Sequence, residues 1–343
     1  MSGISRFRTC SVEFAADEYV YTTESTASGA VRAEIEPGCY RVTLVKTGYG
    51  NKIVDVDVRH DQPYGFRMLS DTLLGYAWPK VVKSGERSEF RVHSAEAYKL
   101  ELWRYGIQKE RERIIGWFDE HGPRATVQIT PDGDYTQVGA KWNERGYTHP
   151  HHKQYVEAPE RSGLYYFHAK TETGRFFSFP WVVAPRKLKA KIGVLASDMN
   201  WNAYNSFGGR SNYIHPAGLP DRPTVNARLE LDRYNDPDHI HYKVEHYPPL
   251  SFDRPEPINH VPEKTEATDS VEGRSACHVA PAEWRLLAWL EREGFEYDLY
   301  SESQFHEDAI DLSAYRVLIL GGQVSRVHGY GYYDGGALPN SRQ

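Results

Sequence analysis

The hydrophobic period of the chain changes near residue 186, and this change constrains the fold more than any other feature. Before it, runs such as "CYRVTLV" and "SEFRVHS" alternate apolar and polar residues, as strands with one buried face do. After it, "KIGVLA" (191–196) and "YRVLILGG" (315–322) are continuously apolar, and "PAEWRLLAWLEREG" (281–294) has the spacing of a helix. Buried strands that alternate with a helix predict a parallel α/β sheet.

The pattern predicts three domains, since a single core stops growing near roughly 250–300 residues. Residues 1–70, which contain "PGCYRVTLVKTGYGNKIVDVDV", form a small all-β module that resembles transthyretin-like folds. Residues 71–186, with short strands at hairpin spacing, form an immunoglobulin-like β-sandwich. Residues 187–343 form the α/β domain. Its sheet is expected to be incomplete, because the Gly-rich end of the chain has neither helical nor strand period.

Composition excludes several classes of partner. The net charge is -6 and the pI is about 6.2, without a block of Lys and Arg, so no nucleic-acid partner is expected. No run reaches the roughly 18 apolar residues of a membrane helix, so no membrane partner is expected. Three cysteines without CxxC spacing indicate a reducing compartment, and we expect a soluble, cytoplasmic protein.

The segment "NWNAYNSFGGRSNY" follows the strand at 191–196 and so lies at the carboxyl end of a parallel strand, where open α/β sheets place ligand sites. Tyr204 and Tyr213 offer phenol oxygens, and the asparagine amides offer groups that orient a substrate. The long irregular excursion over residues 201–280 is also typical of a functional loop. The alternative interpretation is a rigid aromatic loop that packs on the sandwich.

Four stretches in the same order resemble the large (β) subunit of N,N-dimethylformamidase and its homologues. They are "WNAYNSFGGRSNY", "LSFDRPEP", "EWRLLAWLEREGFEYDLYSESQFHED" and "YRVLILGG", and together they cover roughly residues 185–322. The resemblance implies an α/β domain similar to glutamine-amidotransferase-like folds, preceded by an immunoglobulin-like domain. It also implies an enzyme that hydrolyses the C–N bond of a small amide at a mononuclear, non-haem iron held by tyrosine and glutamate side chains.

The resemblance implies roles for individual residues. Tyr204, in the "AYN" core of the motif, is the expected first iron ligand. The second tyrosine stays open among Tyr213, Tyr242 and Tyr247, of which Tyr213 and Tyr247 are carried forward as metal candidates. The residues expected to orient the substrate are Asn202, Asn205 and Arg210.

The sequence departs from the family after "YRVLILGG". The family continues into a His-x-Glu-Tyr segment that supplies the carboxylate ligand, whereas this chain has Gln323-Val324-Ser325. Glu256 in "RPEP", or Glu245, could replace that carboxylate, and Glu256 is carried forward as the metal candidate. The other interpretation of Glu256 is an ion pair with Arg254.

The departure also supports a different class of function. The chain could be a non-catalytic binding or assembly protein, or an inactive, truncated or split member of the family. A parallel sheet with an unpaired edge would then need a partner, either a second copy of the chain or another polypeptide that completes the sheet.

Three other groups of reactive residues carry less weight. His239 and His241 in "DPDHIHYKVEH" could bind a metal, but solvent-exposed or supporting histidines fit the pattern as well. The "HPHH" run at 149–152 is expected in a surface loop of the sandwich. Cys277 is a poor candidate for a nucleophile, because no strand precedes it to form the required elbow.

Overall fold

The first four strands form one antiparallel sheet. The computed structural model describes residues 9–17, 19–26, 29–46, 52–60, 73–94, 96–118, 154–205, 207, 211, 249–269 and 279–320. The strands are β1 (Ser11–Ala16), β2 (Tyr19–Glu24), β3 (Gly38–Val45) and β4 (Lys52–Val58). Their order in the sheet is β2-β1-β3-β4.

Alternation along β1 and β3 gives this sheet one buried face. The side chains on that face are Val12, Phe14, Tyr40, Val42 and Leu44, each at most 8% exposed. Most residues between them in sequence face solvent. Successive side chains of a strand point to opposite faces, so the alternating sequence predicts this burial, and the strands predicted here are confirmed.

Two further sheets enclose a second core. Their strands are β5 (Leu74–Trp78), β6 (Val81–Lys83), β7 (Arg87–His93), β8 (Tyr98–Tyr105), β9 (Lys109–Phe118), β10 (Tyr155–Glu157), β11 (Gly163–Thr171) and β12 (Phe176–Ala184). One sheet has the order β10-β7-β5 and the other the order β6-β12-β11-β8-β9. Both contribute to one hydrophobic cluster, so this region is a β-sandwich.

Aromatic side chains fill the sandwich. Phe90 from the smaller sheet packs against Phe167 of the larger one, and Phe167 also packs against Trp181. The two sheets approach each other closely at Gly75, because a Cβ atom at this position would lie 2.5 Å from the Phe179 ring. Part of the aromatic content of the chain therefore lies in the core of the sandwich.

The third region is a parallel sheet with helices. Strands β13 (Ile192–Ala196), β14 (Tyr297–Ser301) and β15 (Val317–Leu320) run parallel in the order β14-β13-β15. The α-helices are α1 (Asp198–Tyr204), α2 (Val279–Arg292) and α3 (Glu302–His306), and 3-10 turns cover Pro257–Asn259 and Leu312–Ala314. The predicted alternation of buried strands and helix is confirmed, and the chain is a β-rich protein of several sheets with few helices.

Helix α2 begins and ends within two residues of its predicted limits. Pro281 lies in its first turn, where a missing N–H costs nothing. Gly294 has a φ of +77°, and the N–H of Phe295 donates to the carbonyl of Leu290 at 2.9 Å. A glycine at the end of a helical pattern predicts this left-handed cap, and the structure confirms it.

A single hydrophobic core joins the sandwich to the parallel sheet. Tyr105 and Tyr166 of the sandwich share a cluster with Val194, Trp284 and Leu299 of the α/β region. The predicted boundary at residue 186 therefore falls between two regions that bury apolar surface against each other. The three domain limits, 1–70, 71–186 and 187–343, stay a prediction.

Polar contacts fix helix α2 on the sandwich. The indole Nε1–H of Trp284 donates to the carbonyl of Gly106 at 2.8 Å. The carboxylate of Glu291 accepts from the guanidinium of Arg104 and, at 2.8 Å, from the N–H of Ile107. Because all these partners lie on strand β8 or in the turn that follows it, the helix has one fixed position against the sandwich. Among the described residues, no helix has the length and apolar composition that a membrane crossing requires.

Candidate functional site

The carboxyl edge of the parallel sheet gathers the predicted site. Strand β13 ends at Ala196 and leads through Ser197 into α1, and β14 ends at Ser301 and leads directly into α3. In parallel strands these ends meet at one edge of the sheet. The segment predicted to carry the site is therefore at the edge where α/β proteins bind ligands.

Buried contacts hold α1 from its inner side. The amide Nδ2 of Asn202 donates to the carbonyl of Leu250 at 3.0 Å, and its Oδ1 accepts from Nη2 of Arg254 at 2.9 Å. Asn205 donates to the carbonyl of Pro255 at 2.8 Å. Both side-chain amides expected to orient a substrate thus bond to protein groups in this structure, and a direct role toward a substrate stays a prediction.

Arg254 is the centre of this support. Its side chain is fully buried, and its guanidinium donates to the carbonyls of Ser251, Phe207 and Asn202. A planar guanidinium with five N–H donors can bind several oxygens at once without a rotamer change. The arginine of the "RPEP" motif therefore joins α1 to the segment around residues 249–261.

Glu256 has a different ion-pair partner from the expected Arg254. Its Oε1 lies 2.6 Å from Nζ of Lys80, a residue of the sandwich, and its Oε2 accepts from Nδ2 of Asn259 at 2.8 Å. Burial lowers the pKa of Lys80, and the negative charge of Glu256 opposes that shift. Both carboxylate oxygens of Glu256 thus have a protein partner, and its role as a metal ligand stays a prediction.

A second buried ion pair joins the same segment to the sandwich. Asp253 Oδ1 lies 2.5 Å from Nη1 of Arg91 and accepts from the hydroxyl of Tyr76 at 2.6 Å. The Nη2 atom of Arg91 lies 2.8 Å from the carboxylate of Glu89. Each charge here has a neighbour of the opposite sign, which offsets the cost of its burial.

Tyr204 is the last residue of α1 and is half-buried, whereas Trp201, Asn202 and Ala203 before it are buried. The other predicted ligands Tyr213 and Tyr247, and the predicted substrate contact Arg210, lie outside the described residues. The same is true of Tyr242, Glu245, His239, His241, Cys277 and the "HPHH" run. Within the described part of the chain, no three His, Cys, Asp or Glu side chains are grouped so that they could hold a metal ion.

Three carboxyl groups that sequence reasoning did not select lie at the same edge of the sheet. Asp198, in the first turn of α1, accepts from the N–H of Ser303 at 3.0 Å and from its hydroxyl. Glu283 of α2 accepts from the N–H of Ser197 at 3.1 Å and from Nε1 of Trp201 at 2.9 Å. Glu302 begins α3. None of the three forms an ion pair with a described lysine or arginine, unlike Glu256 and Asp253.

Burial raises the pKa of each of these groups, to about 6 for Asp198, about 7 for Glu302 and about 8 for Glu283. Repulsion between neighbouring carboxylates adds to each shift, and hydrogen bonds to the charged form oppose it. The edge of the sheet therefore holds three carboxyl groups whose pKa values lie near neutral pH, and Glu283 has the highest of the three.

The sequence contained a signal for Glu283. It follows Ala280 by three positions, precedes Leu287 by four and adjoins Trp284, so helical spacing places it on the apolar face of α2. Its place in the first turn of the helix, taken alone, predicts only a favourable interaction with the helix dipole. An acidic residue on the buried face of a helix is instead the pattern of a group with a specific partner.

A comparison with protein families identifies a relative. The family model described as "N,N-dimethylformamidase beta subunit-like, C-terminal" matches residues 100–323, well over half of the chain. The match begins inside strand β8 of the sandwich and continues past β15. It thus extends further toward the N-terminus than the four stretches from which the resemblance was recognised. No curated protein matches the sequence.

Proposed function

Because the chain belongs to the N,N-dimethylformamidase beta subunit-like family, we propose that it hydrolyses the C–N bond of a small amide at a mononuclear, non-haem iron. The observation that carries this proposal is the position of Tyr204 at the carboxyl edge of the parallel sheet. The residues before it in α1 are buried, while Tyr204 itself is half-buried. A phenol at this edge is placed where α/β proteins meet their ligands.

The described residues fit an iron site in part. The phenol of Tyr204 is a suitable hard ligand for a ferric ion, and Tyr213 and Tyr247 are the proposed companions from the same excursion. Glu256 is the proposed carboxylate, although both its oxygens have protein partners in this structure. When bound, the iron would supply Lewis-acid polarisation of the amide carbonyl and a strong electrostatic pull on developing negative charge.

The remaining residues position this site. Arg254 and Asn202 hold the inner face of α1, and Asn205 holds the end of the helix against Pro255. Arg210 is the proposed substrate contact, because a guanidinium can donate to the carbonyl oxygen of an amide. The strand order β14-β13-β15 supports the proposed likeness to glutamine-amidotransferase-like folds, since doubly wound sheets of the order 2-1-3-4-5 place their first strand between the next two.

The experiment combines metal content with the visible spectrum of the purified protein. We expect about one iron per chain and a tyrosinate-to-iron charge-transfer band, and release of amine from N,N-dimethylformamide. Tyr204→Phe should remove the band and most of the iron and leave the thermal transition in place. Tyr155→Phe is the matched control, since that exposed tyrosine lies on strand β10 of the sandwich. Full retention of iron and band in Tyr204→Phe would contradict the assignment.

A second candidate function is assembly. Strand β15 lies at the edge of the described parallel sheet, and Val317, Leu318 and Leu320 are 48%, 36% and 51% exposed. An exposed apolar edge strand is a surface on which another chain can pair. The partner would be a second copy of the chain or a polypeptide that adds a strand.

Light scattering on the purified protein separates these cases. A mass above that of one chain that falls to one chain in Leu320→Lys, but not in Leu188→Lys, supports self-assembly through β15. Leu188 is a suitable control because it is 44% exposed but lies outside the sheet. A single-chain mass for the unchanged protein rejects self-assembly, and a second polypeptide must then be sought.

We also propose a cytoplasmic location. Cys39 is an exposed free thiol in the described part of the chain. Exposed free thiols persist in compartments that are kept reducing. Fractionation of cells that express the protein tests this, and recovery from an oxidising compartment would contradict it.

A further inference from the structure

Glu283 connects two helices through one oxygen atom. Its Oε1 accepts from the backbone N–H of Ser197, immediately before α1, and from the indole Nε1–H of Trp201, one turn later. Both donors are at most 2% exposed. The first turn of α1 is therefore held by a side chain of α2 through two buried hydrogen bonds.

Helix α2 is itself fixed independently of the site. One residue after Glu283, Trp284 bonds to Gly106, and two turns later Glu291 bonds to Arg104 and Ile107. These partners belong to the sandwich. Because Glu283 bonds to the first turn of α1, the fixed position of α2 also fixes α1, the helix that ends in Tyr204.

The surroundings of the second oxygen of Glu283 indicate whether the carboxyl group is neutral or ionised. Oε2 is buried and has no hydrogen-bond partner among the described residues. The side chain borders an apolar gap, lined by Leu164, Val194 and Leu286, that is too small to admit a water molecule. A carboxylate ion without a counter-charge or water is costly to bury, whereas a neutral carboxyl in the same place is much less so.

We propose that Glu283 is a positioning residue of the tyrosine site, and that as a neutral carboxylic acid it fixes α1, and hence Tyr204, against α2. The inference rests on the proposed function, in which Tyr204 is an iron ligand. The raised pKa of about 8 agrees with a protonated group, and the neighbouring acidic groups are Glu302 and Asp198. Ionisation would add a third negative charge to this buried edge of the sheet.

The first test uses variants that separate shape from charge. Glu283→Gln keeps the accepting oxygen and resembles the neutral acid, whereas Glu283→Ala removes the acceptor. Glu293→Ala is the matched control, an exposed glutamate just beyond the end of the same helix. Trp201→Phe removes one of the two hydrogen bonds and serves if Glu283→Ala does not fold.

Nuclear magnetic resonance of ¹⁵N-labelled protein detects the hydrogen bond between Glu283 and the Trp201 indole, and it requires no bound metal. The Trp201 indole resonance, assigned through Trp201→Phe, should be protected from exchange in the unchanged protein and in Glu283→Gln. In Glu283→Ala it should exchange at least about 10-fold faster, since an opened hydrogen bond exposes the N–H. The backbone resonance of Tyr204 should shift in Glu283→Ala and Trp201→Phe but not in Glu293→Ala. An unmoved Tyr204 resonance in a folded Glu283→Ala protein overturns the proposal.

The second test measures iron affinity and the charge-transfer band. Loss of a group that supports a metal ligand typically weakens metal affinity by about 10–100-fold. We expect a loss of that size in Glu283→Ala and a change of less than about 3-fold in Glu283→Gln. Equal losses in both variants would show that the site needs a carboxylate ion, which overturns the neutral form. If the unchanged protein holds no iron, the proposed function fails, and the Trp201 and Tyr204 resonances still decide whether Glu283 positions α1.

Discussion

Two groups of buried ionisable residues in this molecule differ in whether they have partners of opposite charge. Where the segment around residues 249–261 meets the sandwich, Glu256 is paired with Lys80 and Asp253 with Arg91. At the carboxyl edge of the parallel sheet, Asp198 and Glu283 are buried without a described cation. Paired charges hold two surfaces together. The unpaired acids have pKa values raised toward neutral pH, which is a property that functional sites often use.

The difference between the two groups separates contacts that hold the fold together from groups that change their charge with pH. The guanidinium of Arg91 keeps its charge between pH 5 and pH 9, because arginine is not deprotonated in proteins. A buried acid without a cation changes its charge within that range. The contrast leads to predictions about stability that differ in size and in the sign of their pH dependence.

Arg91→Ala should have the largest effect. It leaves Asp253 and Glu89 buried without their cation, and removal of one partner of a buried pair costs about 3–5 kcal/mol. The free energy of unfolding in urea measures the loss. Arg41→Ala, which breaks the exposed pair with Asp55, is the control and should change stability by less than about 1 kcal/mol. A comparable effect of the two substitutions would remove the contrast.

Glu283→Gln should remove a loss of folding stability that the unchanged protein undergoes as the pH rises. The folded-state pKa of Glu283, about 8, lies above the ordinary value of 4.5, so the folded protein keeps a proton that the unfolded chain releases. Its contribution is full below pH 4.5 and is lost as the pH rises to about 8. Between pH 5 and pH 8 this amounts to about 3 kcal/mol, since one pKa unit corresponds to about 1.4 kcal/mol.

Unfolding curves at pH 5 and pH 8 test this second prediction. The difference between the two pH values should be smaller in Glu283→Gln than in the unchanged protein. Glu293→Ala should leave the difference as it is, because that residue is exposed. An identical pH difference in all three proteins would show that Glu283 does not hold its proton.

His168→Gln should reduce an acid loss of stability in the sandwich. Burial lowers the pKa of His168 to about 3, so the unfolded chain takes up a proton first as the pH falls. The contribution is full above the ordinary value of 6.5 and is lost as the pH falls toward 3. Between pH 7 and pH 5 it amounts to about 2 kcal/mol.

Glutamine is a suitable replacement because Nε2 of His168 lies 2.7 Å from the hydroxyl of Tyr105, and an amide can keep that hydrogen bond. Stability should then vary less between pH 7 and pH 5. The same substitution should leave the alkaline loss unchanged, since that loss belongs to the sheet edge. A change of both slopes would show that the two regions do not titrate separately.

Gly294→Ala should have the smallest effect. A φ of +77° strains any residue with a Cβ atom by about 1 kcal/mol, and open space surrounds the position. Helix α2 should lose that much stability while the Trp201 indole resonance stays in place. A shift of that resonance would mean that the far end of α2 also controls the site.

The sequence predicted the elements well because local patterns determine them. Alternation predicted the strands of the first two regions, and the apolar runs predicted β13 and β15. The cap at Gly294 followed from one residue type at one position. The family was recognisable from the ordered motifs around Tyr204, and the match over residues 100–323 confirms it.

Long-range pairings were not predictable in the same way. Lys80 and Glu256 are far apart in sequence, and nothing local indicates that they meet. The expected pair of Glu256 with Arg254 was drawn from neighbours in sequence, whereas Arg254 bonds to carbonyl groups around α1. Glu283 was visible as an acid on an apolar helix face, but its partners at the start of α1 depend on how the sheet brings two helices together.

The hydrophobic core that runs from Tyr105 and Tyr166 to Trp284 has an evolutionary consequence. A sandwich that shares its core with the parallel sheet cannot be exchanged for an unrelated sandwich by recombination, because the exchange would leave Trp284 without its packing partners. Substitutions on the two sides must compensate for one another over time. Selection should therefore preserve the sandwich and the parallel sheet as one unit, and related proteins should inherit the two together.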